Sequence, residues 1–201
     1  PWLKGASGRL VLTGTPTAGG MISKVLVSIP NGSKEWRGDF ATRHSVSAGH
    51  EMVDVIVKIE SPQYAGLMEL EALCLDVHRE NGFEVPRSWR ADLDGLSLLA
   101  IERFDRPGHG KQLPFESFMS VLAAGSRSIQ SSQDALWTEL GGYVSRLGQL
   151  SNLDVRLAQE QLFRRLAYAL MTGNGDMHLD NIGLLGSKRS LQLAPVYDPA
   201  P

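Results

Sequence analysis

β-branched, strand-forming segments fill the first half of this chain and amphipathic helical ones the second, and no other feature narrows the fold as much. Arg9 to Thr13, Lys24 to Ile29 and Val53 to Ile59 read as strands, and Leu96 to Phe104 returns to strand. Asn31-Gly32 follows the second strand at once, and that dipeptide readily takes the two positive φ angles of a tight hairpin turn, so the sheet is expected to be antiparallel. One helix interrupts the strands. Over Leu67 to Asn81, the residues Leu67, Leu70, Leu73, Cys74 and Val77 are spaced three and four apart and make one apolar stripe, which Gly82 ends.

Asp105-Arg-Pro-Gly-His-Gly110 then breaks the chain with turn residues and suggests a linker between two lobes, residues 1–106 and 107–201. Beyond it, Leu136 to Leu150 is amphipathic. Val155, Ala158, Leu162, Leu166 and Ala169 form a second stripe, preceded by Ser151 and Asp154 at capping-box spacing and closed by Gly173. A polar loop from Asn174 to Asn181 leads into two short strands, Ile182 to Leu185 and Leu191 to Val196, with a turn at Gly186 to Ser190. The expected class is α+β, an antiparallel sheet followed by a mainly helical body.

Composition removes several functions. Lys and Arg together number 20 against 22 Asp and Glu, so the charge balance points neither to nucleic acid nor to an anionic membrane. No apolar run approaches the roughly 18 residues that cross a bilayer, and no cationic start with a cleavage site is present, which leaves the cytoplasm as the default compartment. A lone Cys74 among helix-forming apolar residues excludes an internal disulfide and reads as a buried structural thiol. The opening at Pro1 and the stop just after Tyr197-Asp198 raise the expectation of a longer native protein.

The strongest candidate site is Asn174-Gly-Asp-Met-His-Leu-Asp-Asn181, between a helix end and a hairpin whose second strand leads to Asp198. Phosphoryl transfer needs one carboxylate to orient or deprotonate the attacking hydroxyl. It also needs a second carboxylate and a carboxamide to hold Mg²⁺ against the triphosphate. Asp176, Asp198 and Asn181 can fill those roles in that order, and the five-residue step from Asp176 to Asn181 lets one loop present base and ligand together. Taken singly, each is also the residue of an ordinary polar turn that satisfies backbone donors.

His178 is counted with the nucleotide-site residues, although its place between Asp176 and Asn181 suits a loop-bracing hydrogen bond better than a general base. The other histidines lack Cys or carboxylate companions at metal-ligand spacing, so zinc is not expected. Lys58, on a strand between Val57 and Ile59, would cost free energy to bury without an anion, and Glu71 on the next helix can supply one. The bland reading is a lysine snorkelling from a sheet edge. Gly19 and Gly20 permit close approach to phosphate and Lys24 could add charge, but no GxGxxG is present.

In this order the segments resemble one family, the HipA-like serine/threonine kinases, toxin components of bacterial toxin–antitoxin pairs. The resemblance covers nearly the whole chain. It rests on Ala18-Gly-Gly-Met-Ile-Ser-Lys24, Ile56-Val-Lys58, Glu71 in the helix before Gly82-Phe-Glu-Val-Pro86, Glu102-Arg-Phe-Asp-Arg106, Gly175-Asp-Met-His-Leu-Asp-Asn181 and Ala194-Pro-Val-Tyr-Asp198. It implies a protein-kinase-like two-lobed fold, with ATP and Mg²⁺ as cofactors. Lys58, fixed by Glu71, would contact the phosphates, and Glu102, Arg103 and Phe104 would form the hinge that receives adenine. Asp176 would be the base, and Asn181 and Asp198 would bind the metal. Family members phosphorylate aminoacyl-tRNA synthetases, stall translation and are held by a helix-turn-helix antitoxin. Some phosphorylate a Ser in the glycine-rich loop, where Thr17 stands here, and Met21-Ile22-Ser23 departs from the more polar family loop. Two other readings stay open: a small-molecule kinase of the aminoglycoside phosphotransferase type, which shares the Asp and Asn five apart, and an inactive kinase-like binding module.

Overall fold

A computed structural model of the chain describes residues 22–31, 36–40, 52–108, 111–125, 131 and 137–200. The strand expected over Arg9 to Thr13, Gly19, Gly20 and the Thr17 position lie outside the described residues. The chain divides into two compact units, Pro1–Gly110 and Lys111–Pro201.

The first unit is built on an antiparallel sheet of β1 (Lys24–Pro30), β2 (Met52–Ile59), β3 (Ser88–Leu93) and β4 (Leu96–Glu102), in the order β1-β2-β4-β3. Helix α1 (Leu67–Glu80) connects β2 to β3. Both faces of the sheet's centre are covered, which is why Leu98-Leu99-Ala100-Ile101 is buried without alternation. Val25, Val27, Val55, Val57, Leu98 and Ala100 pack with Trp36 and Phe40 on one face, while Leu99 and Ile101 meet Met68, Ala72 and Leu75 of α1 on the other.

β1 and β2 pair antiparallel, as expected, but the partner strand does not begin until Met52, so Asn31-Gly32 does not join the two as a two-residue turn. Gly32 itself lies outside the described residues. β3 went unread in the sequence, where its Ser-Trp-Arg-Ala-Asp-Leu looks polar. The signal that could have found it is Asp94-Gly95, whose φ angles of 53° and 79° make the two-residue turn between β3 and β4.

The apolar stripe expected on α1 is corrected by the structure. Leu70 and Leu73 are exposed, and the buried face is Met68, Glu71, Ala72, Cys74, Leu75 and His78. A glutamate and a histidine occupy the inward face, so hydrophobicity alone places it one residue away. The helix ends as expected at Gly82, with Gly82 N–H bonded to the Arg79 carbonyl at 3.0 Å and Phe83 N–H to that of His78 at 3.1 Å. The Phe83 ring seals that end edge-on against His78, centroids 5.2 Å apart.

The second unit holds β5 (Phe115–Ser117), α2 (Phe118–Gly125), α3 (Trp137–Leu150), α4 (Val155–Thr172), β6 (Gly183–Leu185) and β7 (Gln192–Leu193). Its strands form a small antiparallel sheet in the order β5-β6-β7. Phe118, Leu122, Leu140, Val144, Leu162, Leu179, Ile182 and Leu193 make its core. α4 is capped by Asp154 itself, whose carboxylate accepts from Leu157 N–H at 2.9 Å. Ser151 instead donates to the Leu147 carbonyl. The buried face of α4 is Ala158, Leu162, Arg165 and Ala169, with an arginine where an apolar stripe was expected. Gly183 is sterically required: a Cβ there would strike the Phe115 ring and lie 3.0 Å from the Glu116 carbonyl. Its smallness lets β5 close over the strand that leaves the loop from Asn174 to Asn181.

Candidate functional site

In the first unit, alternation along β2 sends Val55 and Val57 to one core and Lys58 to the α1 face. Lys58 is 4% exposed and forms an ion pair with Glu71, 2% exposed, from the second turn of α1. The structure thus brings together the lysine and glutamate that the sequence paired. Lys24 sits directly opposite Lys58 on β1, so two cations share neighbouring positions on one face. Like charges placed so disfavour the sheet unless anions are near. Burial, then the Glu71 charge, pushes the Cys74 thiol upward, as a structural rather than nucleophilic cysteine requires.

Glu102 ends β4, and its carboxylate is gripped by Arg87 through Nε at 2.7 Å and Nη2 at 2.9 Å. Arg103 N–H donates to the Asp54 carbonyl at 2.9 Å, and its guanidinium is forked onto Asp105. The side chains of Glu102 and Arg103 are therefore engaged with neighbours, and so are both main-chain N–H groups, Glu102 N–H donating to the Arg87 carbonyl at 2.9 Å. Arg87 had no part in the sequence reading.

In the second unit, α4 ends with Gly173 at φ 69°, and the chain turns at once into Asn174 to Asn181. The Asn181 amide Nδ2 donates to the Asp176 carbonyl at 2.7 Å and lies 3.4 Å from its carboxylate. This leaves Oδ1 of Asn181 as an oxygen donor for a ligand. Asp180 N–H donates to His178 Nδ1 at 3.2 Å, which in the neutral imidazole puts the proton on Nε2, 3.4 Å from the Asp176 carboxylate. His178 therefore braces the loop and aims at Asp176, whose side chain is 64% exposed.

Asp198 follows β7 with φ 47°, in the left-handed region that Asp tolerates better than most residues. The Tyr197 hydroxyl just before it donates to the Asp180 carbonyl at 2.7 Å. Burial first, and the charge of Asp198 next, hold the Tyr197 phenol far above its ordinary pKa, so it remains a donor. Asn174, whose role the sequence left open, touches both segments: Asp176 N–H donates to its Oδ1 at 2.8 Å, and its Nδ2 donates to the Pro199 carbonyl at 3.0 Å. Buried Arg165 donates to the Ala194 carbonyl at 2.7 Å.

Among the described residues no group of three or more His, Cys, Asp and Glu is set to hold a metal. Mg²⁺ asks for less, commonly one or two protein oxygens with the rest from phosphate and water, and the carboxylate of Asp198 with the carboxamide oxygen of Asn181 is a fitting hard donor set. Among the described residues no helix is long and apolar enough to cross a membrane.

The model of the HipA-like C-terminal domain family matches residues 17–201. A Sinorhizobium fredii protein named "Putative kinase Y4dM" is 31% identical over 157 residues, 71% of this chain and 36% of its own length. A Haemophilus influenzae protein named "Putative kinase" is 30% identical over 156 residues, 71% of this chain and 43% of its own length. The chain thus spans less than half the length of these curated relatives. Among solved structures, HipA of Shewanella oneidensis MR-1, in a toxin–antitoxin complex with HipB and its operator DNA, is similar with a TM-score of 0.62 and 20% identity. That match covers 92% of this chain and 44% of that one. The Helicobacter pylori proinflammatory kinase CtkA matches with a TM-score of 0.52 and 17% identity, over 72% of this chain and 50% of that one. The fold is kinase-like.

Proposed function

The chain belongs to the HipA-like C-terminal domain family, and from that premise we propose that it is the core of a serine/threonine protein kinase that moves the γ-phosphate of ATP onto a protein hydroxyl. The observation that carries the proposal is the second unit's hydrogen-bonded loop, where Asn181 is bonded to Asp176 and the Asp198 segment is tied in through Tyr197 and Asp180. Those are the base, the carboxamide and the second carboxylate that phosphoryl transfer needs, and little else is asked of the protein beyond placing them.

Asp176, exposed and faced by His178 Nε2, orients the attacking hydroxyl and takes its proton. Asn181 and Asp198 are the residues that would hold Mg²⁺, which when bound neutralises charge on the phosphoryl oxygens. In the first unit, Lys58 held by Glu71 is assigned to the phosphates together with Lys24, Gly19 and Gly20, and Glu102, Arg103 and Phe104 to adenine. The working division of the chain is residues 1–106 and 107–201. As substrate we propose an aminoacyl-tRNA synthetase, and as partner a helix-turn-helix antitoxin, acting in the cytoplasm. What supports the partner is that the Shewanella neighbour is seen with HipB.

Calorimetry of ATP binding with and without Mg²⁺ tests the reading, on the wild-type chain, Asp198→Ala and Asp176→Asn. Wild type should bind only weakly without metal. Asp198→Ala should lose the metal-dependent part, and Asp176→Asn should keep binding while losing about a hundredfold or more in phosphate transfer. A wild-type chain that binds ATP equally with and without Mg²⁺, or not at all, would sink the proposal.

A further inference from the structure

We propose that Asn174 is a positioning residue that couples the Asp176 loop to the Asp198 segment, so that base and metal ligand are set together. The inference rests on the kinase reading for what the coupling serves, though not for its existence. Asn174 is buried at 8% exposure, directly after the Gly173 cap of α4, and its own N–H continues that helix end by donating to the Ala169 carbonyl at 2.8 Å. Its side chain spans outward from there. Oδ1 accepts from Asp176 N–H at 2.8 Å, and Nδ2 donates to the Pro199 carbonyl at 3.0 Å.

These two partners fix which end of the amide is which, since the reverse orientation would set donor against donor and acceptor against acceptor. A primary amide at this reach is the chemistry that does both. A carboxylate lacks the donor, and a hydroxyl is shorter by an atom.

The positions touched give the bond its meaning. One partner is the main chain of the base, and the other is the residue next to Asp198, whose φ of 47° persists only where the surroundings hold it. Tyr197, bonded to the Asp180 carbonyl, brackets Asp198 on its other side. A shift of either segment is therefore passed to the other through one buried side chain. A residue that merely finished the helix would stabilise α4 and leave Asp198 alone.

Two variants separate these roles. Asn174→Ala removes both side-chain bonds; Asn174→Asp, nearly isosteric, keeps an acceptor for Asp176 N–H and loses the donor to Pro199. By NMR, the Asp176 amide should exchange roughly tenfold or more faster in Asn174→Ala and remain protected in Asn174→Asp. The ¹⁵N shift of Ala200, which shares a peptide group with the Pro199 carbonyl, should move in both. In the phosphotransfer assay both variants should need about tenfold more Mg²⁺ for half-maximal rate. In Asn174→Ala, kcat should fall by about a hundredfold while KM for ATP stays within about threefold.

Lower melting temperatures with wild-type Mg²⁺ dependence and kcat would reduce Asn174 to a helix cap and overturn the proposal. If the wild-type chain transfers no phosphate, the kinase reading fails first, and the amide readouts decide the coupling alone. Unchanged Asp176 exchange and Ala200 shift in Asn174→Ala would then refute it.

Discussion

A lysine and a glutamate that are both almost wholly out of water must each repay a desolvation cost, and their mutual attraction does so only while both are present. Lys58 and Glu71 are such a pair. Removing one partner, as in Lys58→Ala or Glu71→Ala, takes a counter-charge away from a buried ion and should lower unfolding stability by about 3–5 kcal/mol in urea titrations. Replacing both, as in Lys58→Met with Glu71→Leu, should restore stability to within about 1–2 kcal/mol of wild type, or exceed it. The doubly apolar protein should nevertheless lose affinity for Mg²⁺ and ATP. Recovery of stability without recovery of binding separates a functional lysine from a structural one; recovery of both would mean that the pair is only a core element.

At the scale of elements, β1, β2 and β4 were legible because Val, Ile and Leu dominate them, whereas the more polar β3 was not. The face of α1 was not legible. Sequence periodicity weighs Leu70 and Leu73 as core, yet the face packed on the sheet carries Met68, Ala72 and Leu75 against Leu99 and Ile101, together with Glu71, which meets Lys58. The corrected register has a measurable consequence. Leu75→Ala, at a site with no exposure, should cost about 2–5 kcal/mol, whereas Leu73→Gln, 58% exposed, should stay within about 0.5 kcal/mol of wild type. Equal losses at the two positions would restore the stripe read from the sequence. The same blindness to a charged residue on an inward face hid Arg165 within α4.

Over the whole molecule, the candidate site divides by the kind of signal each residue leaves. Asp176, Asn181 and Asp198 could be picked out because carboxylates and a carboxamide at set spacing carry chemistry in their side chains, and Lys58 because a strand interior disfavours it. Asn174 and Arg165 act on backbone carbonyls brought close only by folding, so spacing along the chain carries no trace of those contacts. Patterning also concealed a property of the surface. Phe163, Leu170 and Met171 lie seven and eight positions apart on α4 and are 71%, 75% and 80% exposed. Exposed apolar groups gathered on one helix side, on a chain with a net charge of only -2, favour association over solvation. Sedimentation velocity should show this chain associating as its concentration rises, and Phe163→Gln with Leu170→Gln should shift it toward monomer. Because neither residue belongs to the proposed machinery, and each exchange at an exposed helix position should cost no more than about 0.5 kcal/mol, Mg²⁺-dependent ATP affinity should be the same in both proteins. A monomer at every concentration in the unmodified chain would show that α4 carries its apolar face in water without penalty, whereas a loss of nucleotide affinity in the glutamine variant would place that face in the site's support.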